Sequence, residues 1–280
     1  MSTRTTQVPR IALRCGIGIP QLGLGVFQVP AAATIQVVTQ ALEIGYRHID
    51  TAAAYGNEKQ VGEAIRASGV PREEVFVTTK CPNDSHGYDE ARRAMRRSLD
   101  RLGFAQVDLY LIHWPVPMRD RYVETWRAFI DMREEGLARS MGVSNFLPAH
   151  LQRLISETGE APAINQVELH PYFQQRELRR EHERLGIVTE AYSPLAQGLA
   201  LEDPAIVAIA ERHSRTTGQI VIRWHLQIGN VVIPKSATPE RIRQNFEVFD
   251  FELTDEEIET INGLDAGRRT GGDPATFAIQ

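Results

Sequence analysis

Four residues in the first half of the chain, Asp50, Tyr55, Lys80 and His113, are of the types from which a proton-transfer site is built. A free phenol has a pKa of about 10, too high for a poised acid near neutrality. A neighbouring ammonium favours the phenolate and lowers that value, a task for Lys80. Asp50 would hold Lys80 charged and in place. A neutral His113 with its N–H aimed at a carbonyl oxygen would orient a substrate and stabilise charge growing on that oxygen. The four together describe carbonyl reduction, with Tyr55 as general acid and a hydride from a nicotinamide. Each has a plainer reading. Asp50 could be a turn residue capping a helix, Lys80 a surface lysine, Tyr55 a loop aromatic, and His113, beside Trp114 and Pro115, a hydrogen-bonded core histidine. Which reading holds depends on whether the fold brings them together.

The elements that would do so recur along the chain. Apolar, largely β-branched runs lie at 22–27, 47–50, 75–80, 107–113, 139–144, 164–169, 187–192 and 231–234. Most are apolar on successive residues, as in parallel strands buried on both faces. Helical stretches alternate with them. Segment 89–102 sets Ala91, Met95, Leu99 and Leu102 on one stripe; 123–135 does the same with Val123, Trp126, Phe129, Ile130 and Met132 before Gly136 ends it. Pro148, Pro204 and Pro239 open later helices, and Thr254-Asp-Glu-Glu257 caps a last one.

This pattern predicts an α/β fold, a (β/α)8 TIM barrel forming a single domain over 1–280, with residues 8–20 as a hairpin closing the barrel bottom. An open doubly wound sheet is the competing arrangement. Gly16-x-Gly18 and Gly23-x-Gly25 do not complete the G-x-G-x-x-G fingerprint it would carry. In a barrel the strand ends carry the chemistry, and Asp50, Lys80 and His113 close the second, third and fourth strands, with Tyr55 just beyond Asp50. At three consecutive strand ends the functional reading outweighs the plain one.

Bulk properties narrow the class. The 31 Lys and Arg against 36 Asp and Glu give a net charge of −5, and without a basic run nucleic acid is not an expected partner. Cys15 and Cys81, the only cysteines, can form neither a zinc cluster nor a dense disulfide framework, so no metal and a reducing compartment are expected. Residues 1–10 show no apolar signal core and no stretch is long enough to span a bilayer; the expectation is a cytoplasmic protein with no membrane association.

Here the residues resemble a known family. GYRHIDTAAAYGNE at 45–58 looks like the first signature of the aldo-keto reductases. LIHWP at 111–115, GVSNF at 142–146, NQVELHP at 165–171 and IPKS at 233–236 resemble further motifs, in family order and over nearly the whole chain. The resemblance, nearest to short bacterial members of the 2,5-diketo-D-gluconate reductase kind, puts Asp50, Tyr55, Lys80 and His113 on the catalytic tetrad. It implies that Ser144, Asn145 and Gln166 hydrogen-bond the nicotinamide carboxamide and that Tyr192 stacks on the ring. It also implies that Ser193, Leu195 and Gln197 run along the pyrophosphate. Ser144 and Asn145 equally suit a helix N-cap, and Tyr192 core packing.

The last strand bears on the cofactor. PKSATPERIRQN at 234–245 sets Lys235, Ser236 and Arg241 beside a helix start, with Thr238, Gln244 and Asn245 in the same stretch. Two cations and a hydroxyl suit a 2′-phosphate dianion, whereas a bare ribose calls for a carboxylate. The expected cofactor is therefore NADPH/NADP+, unless the cations are simply solvated at the helix start.

Departures from the family pattern concern the substrate side. Cys81-Pro82 follows Lys80 where an aliphatic residue and tryptophan are common, Phe27 stands at a frequent tryptophan, and Gln244 replaces an acidic residue near the adenine. Cys81, next to Lys80, is either a somewhat acidic thiol or an inert loop cysteine. The tail, 263–280, is short, which predicts an open pocket lined by Phe27, Tyr55, Cys81, His113, Trp114 and Phe146. Small aldehydes, keto sugars, α-dicarbonyls and α-keto esters are the expected substrates, and a monomer the expected state. A sensor that binds NADPH with little turnover would not need all four groups. A Schiff-base lyase using Lys80 is disfavoured because Asp50 would keep the amine charged.

Overall fold

The structure, a computed structural model, describes residues 8–277. The start of the N-terminal stretch read above for a signal core, and the last three residues of the tail, lie outside that range. Eight parallel strands form one sheet in sequence order: β3 (Leu24–Gly25), β4 (His48–Asp50), β5 (Phe76–Cys81), β6 (Val107–Ile112), β7 (Ala138–Ser144), β8 (Ile164–Glu168), β9 (Val188–Tyr192) and β10 (Val231–Val232). The edges meet. Leu22 pairs with Val232 and Gly25 with Lys235, and Gly23 N–H donates to the Val232 carbonyl at 2.9 Å.

This junction explains why the first and last strands are shorter than their apolar runs. A side chain on Gly23 would lie 2.5 Å from His48 Nδ1, and one on Gly25 would lie 3.1 Å from the Ile233 carbonyl. Glycine lets the backbones close the ring but shortens the regular ladder, and Pro234 has no N–H to extend it.

Helices α1 (Ala31–Ile44), α2 (Glu58–Ala67), α3 (Tyr88–Leu102), α4 (Tyr122–Glu134), α5 (Pro148–Thr158) and α6 (Arg176–Leu185) link successive strands. After β9 come α7 (Pro204–His213) and α8 (Thr217–Gln227), and after β10 come α9 (Pro239–Phe246) and α10 (Asp255–Asn262). The predicted stripes face inward: Ala91, Met95, Leu99 and Leu102 of α3 are buried, as are Val123, Trp126, Phe129 and Met132 of α4, with Ile130 at the stripe's edge only partly buried. Gly136, at φ +77°, ends α4 by donating to the Arg133 carbonyl at 2.9 Å. Thr254 and Glu257 cap α10 reciprocally.

The antiparallel hairpin of β1 (Arg10–Ala12) and β2 (Gly18–Pro20) covers the barrel bottom. Leu13 and Ile19 pack there with Phe76, Leu109, Leu111, Ala163, Ile164 and Val231, most of them near the starts of their strands. The barrel is apolar at this end. Toward the other end its inward positions turn polar and charged, at His48, Asp50, Lys80, Gln166 and Glu190, all buried.

Candidate active site

Side chains alternate along a strand, so every second residue points into the barrel. That period puts His48 and Asp50 on one line, Thr78 and Lys80 on the next, and Gln166 opposite Glu190, which are register partners of β8 and β9. Asp50 and Lys80 end up beside each other, with Nζ 2.6 Å from Asp50 Oδ1 and 3.0 Å from the Thr51 carbonyl. Tyr55 sits on the single turn Ala53–Tyr55. Asn57 pins that turn by accepting from Thr51 Oγ1 at 2.7 Å and donating to the Val26 carbonyl at 3.0 Å. The Lys80 ammonium is 5.0 Å from the centre of the Tyr55 ring, and the His113 ring is 5.8 Å from it, edge-on. The four expected residues therefore share one place; Lys80 is buried rather than a surface lysine, and Asp50 is buried in an ion pair with it, while Tyr55 is half-buried on its turn.

The electrostatics correct one expectation. Burial raises the Tyr55 phenol above its ordinary value and outweighs the downward pull of Lys80. Lys80 acts in the predicted sense without setting the net direction, and Tyr55 holds its proton at neutral pH. The Lys80 ammonium is itself favoured: burial works against it, but Asp50 and Tyr55 raise it overall. Burial, with help from Lys80, lowers His113 to about 3, so its ring is neutral.

A cavity of about 820 Å3 opens over these groups. Its wall includes Phe27, Tyr55, His113, Trp114, Gln166 and Tyr192. Phe27 lies 5.0 Å from the Tyr55 ring. Two expected wall residues are elsewhere. Cys81 follows inward Lys80 and so points out of the barrel; it is buried, its Sγ 3.6 Å from the Ser85 carbonyl. Burial pushes its thiol up to about 12, the direction of an inert cysteine and away from an acidic one. Phe146 is buried against Tyr122, ring centres 5.4 Å apart. The loop Pro82–Ser85 supplies the wall instead.

The cavity is also less open than a short tail predicts. Gly271, Gly272 and Phe277 line it, and Phe277 stacks on Trp114 with centroids 3.7 Å apart. One buried carboxylate gathers several of the tail's bonds. Glu168, fully buried at the end of β8, accepts from Thr270 N and Oγ1 (2.5 and 2.7 Å), Gly271 N (2.9 Å) and His170 Nε2 (3.0 Å). Burial alone would raise its carboxyl, but these donors bring it down to about 2. Gln197 joins the same tail through the Thr270 carbonyl at 3.3 Å. Glu168 and His170 stand inside the quoted 165–171 motif, yet the tail partners, Thr270 and Gly271, lie about a hundred residues away and left no mark on the sequence.

Around the rest of the cavity, Ser144 Oγ donates to the Gln166 carbonyl at 2.8 Å. Asn145, at φ +64°, donates to the His113 carbonyl at 3.1 Å and accepts from Tyr192 Oη at 2.8 Å. Neither is a helix cap, since α5 begins after Leu147. Ser193, Ala196 and Gln197 all adopt left-handed backbone, and with partly buried Leu195 they form the loop beyond β9. Lys235 and Ser193 line the cavity. Lys235 and Arg241, in the first turn of α9, are exposed and have no ion-pair partner among the described residues. Ser236 accepts from Thr238 N at 3.1 Å, Asn245 is buried, and Gln244 donates to Glu240 at 3.1 Å. Two unneutralised cations at a helix start suit a phosphate, and the polar cavity wall suits an amide-bearing ring.

Comparison with known proteins identifies the family. The description "Aldo/keto reductase family" matches residues 14–266. An aldo-keto reductase of Mycolicibacterium smegmatis is 56% identical over 269 residues, covering 96% of this chain and 98% of that protein. Methylglyoxal reductase DkgA of Yersinia pestis is 52% identical over 274 residues, covering 97% and 98%. Among solved structures, a mutant of Gox0644 in complex with NADPH superposes with a TM-score of 0.94 at 45% identity, covering 98% of this chain and all of that one.

Proposed function

The chain belongs to the aldo/keto reductase family and is an NADPH-dependent oxidoreductase, and from that premise we propose a mechanism and a substrate class. The substrates are small aldehydes and ketones, with α-dicarbonyls such as methylglyoxal foremost, then keto sugars and α-keto esters. Tyr55 is the general acid. The observation that carries this is the packing of the Lys80 ammonium between the Asp50 carboxylate at 2.6 Å and the Tyr55 ring at 5.0 Å.

The cofactor, when bound, supplies a hydride to the carbonyl carbon. The chain's own residues do the rest. Neutral His113 has no charge to lose and donates an N–H toward the carbonyl oxygen, which fixes the substrate's orientation. Tyr55, protonated at neutral pH, gives its proton to the same oxygen as charge develops there. The phenolate left behind faces Lys80, whose charge is maintained by Asp50, so the cost of leaving an anion in a buried place is reduced. Phe27, Trp114 and Phe277 present aromatic faces that limit water around the reacting carbon.

Ser144, Asn145, Gln166 and Tyr192 would hold the nicotinamide end. Ser193, Leu195 and Gln197 would follow the pyrophosphate, and Lys235, Ser236, Thr238, Arg241, Gln244 and Asn245 the adenosine 2′-phosphate end. Cytoplasmic location and a monomeric state complete the reading; no helix among the described residues is long and apolar enough to cross a membrane. The test follows NADPH oxidation by its near-ultraviolet absorbance against a panel of aldehydes, α-dicarbonyls and keto sugars. Turnover with NADPH well above NADH is expected. Firm NADPH binding with no turnover across the panel would replace this reading with the sensor.

A further inference from the structure

Glu190 has no part in the chemistry above, yet it lies beneath it. Its side chain is fully buried on β9, and Oε1 has no hydrogen-bond partner. Its other oxygen, Oε2, accepts from Gln166 Nε2 at 2.9 Å. The same nitrogen donates to Asp50 Oδ2 at 2.8 Å, while Asp50 Oδ1 takes the Lys80 ammonium. A primary amide has two N–H donors on one nitrogen and one acceptor oxygen. Both donors of Gln166 are directed at acids, so its oxygen is what it has left for the cavity it lines. The opposite orientation would set that oxygen against the Asp50 carboxylate, which the Lys80 ion pair keeps in need of a donor.

We infer that Glu190 is a positioning residue: by occupying the second N–H of Gln166 it locks that amide with its oxygen facing the cofactor, as the acceptor for a carboxamide N–H. The inference rests on the reading that Gln166 meets the nicotinamide carboxamide. Without Glu190, Asp50 would still engage one N–H, but the amide could swing and offer the other to the cavity. The surroundings of Glu190 hold it for this task. His48 on β4 lies 3.6 Å from Oε1 and burial keeps it neutral; Asp50 on β4, Lys80 on β5 and Tyr55 beyond β4 are the other ionisable groups that bear on it. Burial and the Asp50 charge push its carboxyl up to about 8, and a neutral acid still accepts through its carbonyl oxygen.

The test uses an NADPH analogue in which an acetyl group replaces the carboxamide, so the ring keeps its carbonyl and loses its N–H donors. The wild-type protein should bind NADPH about tenfold or more tightly than the analogue, the effect of leaving a buried acceptor unmatched. Glu190→Leu should reduce that preference to about twofold, and Glu190→Gln, which retains an acceptor oxygen, should restore it. A merely structural role would lower thermal stability and both affinities together, with the ratio intact. If wild type shows no preference, the reading of Gln166 falls and this inference with it. If wild type prefers NADPH and Glu190→Leu does so equally, the reading of Gln166 stands and the inference is overturned. Should Glu190→Leu not fold, Glu190→Ala gives the same comparison.

Discussion

Replacing Glu168 with Gln should release the C-terminal tail while leaving the barrel folded. Burial opposes the anion, but His170 and then the tail donors favour it and bring the carboxyl from its ordinary 4.5 to about 2. At about 1.4 kcal/mol per pH unit the whole shift is roughly 3.5 kcal/mol; His170 keeps its share when the tail opens, which leaves about 2 kcal/mol for the tail donors once screening at the rim is allowed for. The folded value is depressed, so this stabilisation is complete above about pH 4.5 and is lost as pH falls through about 2. A glutamine keeps one acceptor but has no charge and turns N–H donors toward the Thr270 and Gly271 amides. Because the bonds tie the tail to the rim rather than strand to strand, the loss should appear as local opening. An opening free energy lower by about 2 kcal/mol raises the open population roughly thirtyfold. Limited trypsin cleavage after Arg268 and Arg269 should accelerate by about that factor at neutral pH, with little change in Tm. Equal cleavage rates in Glu168→Gln and wild type would refute the idea that the charge of Glu168 helps hold the tail.

Three further outcomes are expected. Tyr55→Phe should lower NADPH-dependent reduction by about three orders of magnitude while a fluorescence titration shows an unchanged NADPH Kd. Arg241→Ala should raise the NADPH Kd about ten- to a hundredfold and leave that of NADH within about twofold; an equal effect on both would remove the 2′-phosphate from its surroundings. In a thiol titration with an aromatic disulfide at neutral pH, the native protein should react at Cys15, which is exposed, and not at Cys81, whose thiol is buried and raised to about 12. Both should react in denaturant.

The strands were legible because each is buried on two faces and reads as a continuous apolar run, with helices of clear stripe between them. The clustering of the four candidate residues was legible for a related reason: Asp50, Lys80 and His113 interrupt those runs at the same end. Strand period would also have shown that Cys81, one residue past inward Lys80, faces away from the site. The same period makes Glu190 visible, as an acid two residues before Tyr192 in an otherwise buried strand. The sequence could not show the sign of the Tyr55 shift, because burial and the Lys80 charge oppose each other and only coordinates weigh them. Nor could it show the tail, whose turn-rich composition says nothing of Glu168 or Trp114.

The hairpin at the barrel bottom has a practical consequence. Its turn carries Cys15, exposed, on the side of the barrel opposite the cavity, while the other cysteine is sealed under α3. The chain thus carries one exposed thiol, on the hairpin at the closed end of the barrel. A maleimide on a bead, an electrode or a dye would attach there without mutagenesis and would present every molecule with its mouth outward.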